Sequence, residues 1–247
     1  MISAGTGVAL VVGTGNATGA AVGRRFAAGG YAACLARRSA EKAAPHVERI
    51  VAEGGRALTF GVDARNEASV VALFDPVEKD VSPVEICLFN ASANTANTRM
   101  LAPETIAWLH EQIWRLARHA GFLTGGEAVR RMLPRGCGTL LVTGATASLR
   151  GDAGFAAFAA AKAGLRATVQ SLAREFSPRG IHVAYLVIEG SVDSPAIHAR
   201  PGPDAPPPEP GGLVDVDSVA TAYRTLHTKP RDGWTNKLDL RPSVERW

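Results

Sequence analysis

The residues with the clearest chemical purpose lie near the start of the chain. Val8-Ala9-Leu10-Val11-Val12 is an apolar run that gives way at once to Gly13-Thr14-Gly15-Asn16-Ala17-Thr18-Gly19. Glycines at 13, 15 and 19 free the backbone to turn sharply and let a ligand approach it closely. Where such a turn joins a strand to a helix, its N–H groups and the helix N-terminus cradle a pyrophosphate. The strand before it and the helical pattern after it are the context that this chemistry requires. A purely structural turn is the alternative. Arg37-Arg38 stands at the end of the next apolar run. In a dinucleotide site that strand end meets the adenosine ribose, and a guanidinium there suits a 2′-phosphate. NADP(H) is therefore expected over NAD(H), unless both arginines face solvent.

These groups need a scaffold, and the chain supplies a regular beat. Apolar strands are expected at Val8 to Val12, Ala32 to Ala36, Ala57 to Val62, Val84 to Phe89, Thr139 to Thr143, Ile181 to Ile188 and Lys237 to Leu240. Helices are expected between them: Ala20 to Gly29, Ser39 (a candidate N-cap) to Glu53, Glu67 to Asp80, Pro103 to His119, Gly121 to Leu133 and Phe155 to Phe176. Apolar strands alternating with helices predict a parallel sheet covered on both faces. The expected fold is α/β: a Rossmann-type, doubly wound, mostly parallel seven-stranded sheet with helices on both faces, one domain over residues 1–247. One segment leaves the beat. Residues 200–212 hold six prolines in thirteen positions and read as a surface loop or a lid over the cleft.

Composition removes several classes of function. The chain has 247 residues, 46% of them hydrophobic and 20% charged, enough for a substantial core. Its three cysteines, Cys34, Cys87 and Cys137, lie far apart in apolar runs, so buried free thiols are expected and no metal knuckle is. No long uncharged apolar stretch exists, and Met1 to Gly7 carries no basic leader, so a cytoplasmic protein without a membrane span is expected. The net charge of +4 is scattered rather than massed in a tract, which argues against a nucleic-acid partner. A small-molecule substrate is the expected partner.

Across essentially its whole length the sequence resembles the short-chain dehydrogenase/reductase family. The family's opening Thr-Gly-x-x-x-Gly-x-Gly is similar to Val12 to Gly19, with Val12 for threonine and Ala17 for the middle glycine. The resemblance implies that Asp63, followed by Ala64, meets adenine. It places Asn90-Ala91-Ser92 at the family's Asn-Ala-Gly and Lys162 at the lysine that holds the nicotinamide ribose. Glu189-Gly190, followed by Val192 and Ser194, falls where the family has Pro-Gly lining the nicotinamide. Relatives are often dimers or tetramers, so a homodimer or homotetramer is implied. Trp108, Trp114 and Trp247 suit such contacts or the core equally.

The catalytic positions break the resemblance. Phe158 occupies the family's tyrosine, Ala145 its serine and Ala117 its helix asparagine, leaving Lys162 alone of the four. A phenyl ring has no proton to exchange, and losing a positioned acid removes about 10²–10⁴ in rate. A methyl group cannot bond a carbonyl oxygen, and losing that donor costs about 3 kcal/mol. Thr143, Thr146 and Glu189 are the substitutes near these positions, with Ser148, Asp152, Asp193 and His119 behind them. A subgroup of the family is similar in the runs Gly144 to Ser148, Phe155 to Ala159 and Leu238 to Pro242, and also lacks the tyrosine. An oxidoreductase with a non-standard site, a dinucleotide-binding protein without catalysis, and a non-redox lyase or isomerase all fit these residues.

Overall fold

The computed structural model describes residues 7–92, 100–199 and 209–245. In order these form β1 (Val8–Val12), α1 (Thr18–Ala27), β2 (Ala32–Arg37), α2 (Ala44–Ala52), β3 (Arg56–Gly61), α3 (Glu67–Asp80) and β4 (Val84–Phe89). There follow α4 (Ala107–Trp114), α5 (Ala120–Met132), β5 (Gly138–Thr143), α6 (Ala156–Phe176), β6 (Ile181–Ile188), β7 (Ser191–Val192), α7 (Pro195–His198), β8 (Leu213–Val214), α8 (Val216–Thr228) and β9 (Lys237–Leu240).

The main sheet has seven strands in the order β3-β2-β1-β4-β5-β6-β9, and every pairing in it is parallel. Its inner strands are apolar on both faces, and alternate residues feed two cores. Leu10, Cys34, Cys87, Phe89, Leu140, Val142 and Tyr185 pack with Phe74 of α3, Met132 of α5 and Leu165 of α6. Val11, Leu35, Leu88, Leu141 and Leu186 pack on the other side with Phe26 of α1, Ile50 of α2 and Leu226 of α8. The doubly wound Rossmann-type fold follows from that alternation. The strand order reverses between β1 and β4, and ligands of such sheets bind at that crevice, beyond the strands' C-terminal ends.

Several expectations need correction. The helix expected from Ser39 starts with a 3₁₀ turn at Ala40–Ala43, and Ser39 makes no side-chain cap. Pro45, in the first turn of α2, sets where the α-helix proper begins. The segment 103–119 is not one helix. A 3₁₀ turn covers Ala102–Glu104, α4 follows, and a π-helical turn at Arg115–His119 leads without a break into α5. Gly121 lets α5 approach the sheet, since a Cβ there would meet Leu165 and Phe89. Cys137 is exposed while Cys34 and Cys87 are buried, because Cys137 falls in the turn before β5. Helix α8 was not expected at all. Most of the proline-rich segment, 200–208, and Trp247 lie outside the described residues.

Candidate functional site

The glycine turn is built to leave α1 open at its start. Gly13 and Thr14 donate to Ala36 O at 2.9 and 3.1 Å, and Thr14 Oγ1 donates to Val11 O at 3.0 Å. Gly13 has φ +95°, and a Cβ there would collide with the backbone of Ala91. A Cβ at Gly15 would meet nothing. No side chain caps α1, and no acid stands in its first turn. The free N–H groups and the helix dipole are therefore available to an anion.

Beside this turn a hydrogen-bonded chain ties four elements together. Tyr223 of α8 donates to Thr143 Oγ1 at 2.7 Å, and Thr143 donates to Asn90 Oδ1 at 2.8 Å. Asn90 Nδ2 donates in turn to Gly13 O at 3.0 Å. The ends of β1, β4 and β5 are thus locked in one arrangement. Thr143, a candidate proton donor, has its hydroxyl committed on both sides. Tyr223 is fully buried, and burial pushes its phenol well above the usual range.

A cleft of about 940 Å³ opens over these strand ends. It gathers Thr18, Asn90, Thr143, Ala145, Thr146, Phe158, Lys162, Gly190 and Val192 from the sequence-predicted set. Lys162 is 2% exposed, donates to Thr143 O at 3.0 Å and is drawn down by burial to a pKa of about 8. Its Nζ lies 5.8 Å from the centre of the Phe158 ring. Phe158, Ala117, Ala157, Ala161 and Ile113 form one apolar cluster, with Ala145, Ala147 and Phe155 packed against it. Three positions expected to be polar in a dehydrogenase are therefore adjacent, and they present only carbon. Ala117 stands within the π turn, fully buried.

Other expected residues lie elsewhere. Glu189 is not on the cleft wall. Its fully buried carboxylate accepts from Arg150 Nη1 at 3.4 Å and Arg241 Nη2 at 3.2 Å. A buried carboxylate needs such partners, and these occupy both oxygens. Asp63 accepts from Arg65 Nε and Nη2 at 2.9 and 2.8 Å, and that guanidinium holds it below the usual carboxylate range. Ala64 beside it is buried. Arg37 is half-buried, its Nη1 donating to Lys42 O at 3.4 Å, and Arg38 is exposed. Asn16 and Ala17 border a second, smaller cavity of about 170 Å³. Asp193 pairs with His198 at 2.6 Å, and Ser148 Oγ donates to Ala145 O at 2.7 Å. Asp152 lines the cleft, whereas His119 stacks on Trp114. Arg150 and Tyr223 were missed by the sequence reading. The helical spacing of Val219, Tyr223 and Leu226 behind the cap Asp215 was the signal for the second.

The short chain dehydrogenase profile matches residues 7–200. The chain belongs to the short-chain dehydrogenase family. Its sequence is similar to the 3-oxoacyl-(acyl-carrier-protein) reductase of Salmonella typhimurium, 28% identical over 71% of this chain and 70% of that one. It is also similar to the cyclic-di-GMP-binding biofilm dispersal mediator protein of Escherichia coli K12, at 31% identity over 76% and 73%. Among solved structures, a short-chain dehydrogenase from Rhodopseudomonas palustris is 39% identical with TM-score 0.82, covering 96% of this chain and 99% of that one. An actinorhodin polyketide ketoreductase with NADPH shares the fold at TM-score 0.88 and 20% identity, over the full length of both chains. Among the described residues, no helix is long and apolar enough to cross a membrane, and no group of three or more His, Cys, Asp or Glu could hold a metal.

Proposed function

We propose that this short-chain dehydrogenase binds NADP(H) and exchanges hydride with a small carbonyl or alcohol through a site that lacks the serine–tyrosine pair. The observation that carries the reading is the cleft wall, where buried Lys162 stands beside Phe158 and Ala145. The uncapped start of α1 and the open space at Gly15 fit a pyrophosphate. Arg37 and Arg38 suit a 2′-phosphate, and three structures of the same fold hold NADP, 5-hydroxy-NADP or NADPH. When bound, the dinucleotide supplies hydride transfer. Gly13, Gly15, Gly19 and Thr18 hold its phosphates, while Asn90, Gly190 and Val192 border the nicotinamide end. Asp63, with Ala64 and Ala91 beside the strand ends, belongs to the adenine side.

Lys162 orients the ribose and is also the proton carrier in this proposal. Among the described cleft-lining residues it is the one buried titratable group, and its pKa of about 8 leaves it exchangeable near neutrality. Thr146, one of the hydroxyls lining the cleft, orients the substrate oxygen in this reading. Calorimetric titration of the apo-protein with NADPH and NADH, repeated with Arg37→Ala, tests the cofactor assignment. Tight NADPH binding weakened by the substitution supports it, and a folded protein that binds neither dinucleotide overturns it.

A second reading is a binding protein without turnover. The unbroken apolar cluster at the catalytic positions favours it, as does the relative described as cyclic-di-GMP-binding. It predicts dinucleotide or cyclic-di-GMP binding in the same titration and no NADPH oxidation with any carbonyl. The exposed Trp108, Trp114 and Phe122 on α4 and α5 support assembly as a homodimer or homotetramer. Residues 1–247 act as one domain.

A further inference from the structure

The smaller cavity lies beside the glycine turn, outside the cleft. Its wall joins Asn16 of the turn, Arg24 of α1, His46 and Arg49 of α2, and Asp193 beyond β7. His46 Nε2 lies 3.3 Å from Asn16 Oδ1. Burial first, and then the nearby charges of Arg37 at the end of β2 and Arg49 on α2, hold His46 below its ordinary pKa. The arginines at this wall are already paired, Arg24 with Asp217 and Glu53 and Arg49 with Glu53, and Asp193 lies 2.6 Å from His198. Among the described residues Arg37 has a carbonyl partner, Lys42 O, but no ion pair. Asn16 and His46 therefore bring hydrogen-bond donors together at the cavity wall, and Arg37, at the end of β2, has no ion pair of its own among the described residues.

We propose that His46 is a selectivity residue for the dinucleotide, closing with Asn16 and Arg37 on the 2′-phosphate and taking up a proton as it does so. The assignment rests on the NADP(H) reading above and adds a residue from α2 that the glycine motif and the β2 end do not announce. In the free protein burial, and then the nearby charges of Arg37 and Arg49, disfavour the imidazolium. A phosphate dianion placed against it reverses the local field and favours the imidazolium. The proton comes from solvent, and no bond is made or broken beyond N–H. At pH 7 a phosphomonoester is itself mostly dianionic, so little proton exchange arises from the ligand. A dinucleotide without the 2′-phosphate presents no such charge, and its binding leaves His46 neutral.

The test is calorimetric titration of the full chain with NADPH and with NADH at pH 7, each in two buffers of different ionisation enthalpy. The expected result is net proton uptake with NADPH and none with NADH. His46→Gln preserves a donor toward Asn16, abolishes the uptake, weakens NADPH about tenfold and leaves NADH unchanged. Wild-type binding without uptake, uptake that persists in His46→Gln, or unaltered NADPH affinity in that variant overturns the assignment while the cofactor reading stands. A folded protein that binds neither dinucleotide overturns both.

Discussion

Replacing Lys162 by methionine should make the protein more stable. The ammonium is 2% exposed, and burial lowers its pKa from 10.5 to about 8. At about 1.4 kcal/mol per pKa unit, keeping the charge buried at pH 7 costs about 3 kcal/mol. Removing the amine also leaves Thr143 O without its donor, which returns about 1–2 kcal/mol of that gain. The net expectation is about 1–2 kcal/mol of added stability, a rise in Tm of about 2–8 °C for a chain of this size. The pH dependence carries a second signature. Because the folded pKa lies below the unfolded one, the unfolded state binds more protons between about pH 8 and 10.5, so the penalty is fully present below pH 8 and relieved above it. Buried Cys34, Cys87 and Tyr185 have raised pKa values and act in the opposite sense. The informative quantity is therefore the difference between the wild-type and Lys162→Met curves, measured by denaturant unfolding from pH 7 to 10. The variant's advantage should shrink as pH rises. A variant less stable than wild type at pH 7, or an advantage independent of pH, refutes the argument that Lys162 is a strained cation.

Three further outcomes are expected. Restoring both polar groups with Phe158→Tyr and Ala145→Ser should raise NADPH-dependent reduction of small activated ketones at least about 100-fold, followed by loss of NADPH absorbance; a folded, cofactor-binding double variant without gain contradicts the assignment of those positions. His227 is held at a pKa of about 4 by burial and then by Arg224, between Tyr31 and Thr139. Its contribution is complete above pH 6.5 and lost as pH falls toward 4, so wild type should lose about 2–3 kcal/mol more than His227→Gln over that window, read by urea unfolding. Gly121→Ala should destabilise by about 1–3 kcal/mol, seen as a lower Tm, because a Cβ there meets Leu165 and Phe89 and drives α5 off the sheet.

The strands and the glycine turn were legible because their signal is local. Val8 to Val12 is wholly apolar and meets glycine at its end, and such a run needs no distant partner to be read. The apolar trio Ala117, Ala145 and Phe158 was legible as positions, and their merging into one packed cluster was not, since it depends on three separate segments. Glu189 was named as a possible substitute acid, and its buried pairing was not legible because Arg150 and Arg241 are 39 and 52 residues away in sequence. Helix α8 was overlooked despite a clean pattern: Asp215 accepts from Asp217 N and Ser218 N, and Val219, Ala220, Tyr223 and Leu226 line one face. The neighbouring prolines dominated that stretch. The π turn at Arg115–His119 was not legible in the sequence; its Ala117 packs against Ala157, Phe158 and Ala161 of α6.

The bond from Tyr223 to Thr143 spans 80 residues, and that separation acts in time as well as in space. At ribosomal speeds of 5–20 residues per second, about 4–16 s pass between the two residues' synthesis. During that interval the partners that α8 provides for Leu141 and Leu186 do not yet exist. Strands β5 and β6 are made before the helix that covers this face of theirs, so apolar surface stays exposed on the nascent chain until α8 arrives. The floor of the cleft is then completed late, in the same event that covers this face of the sheet.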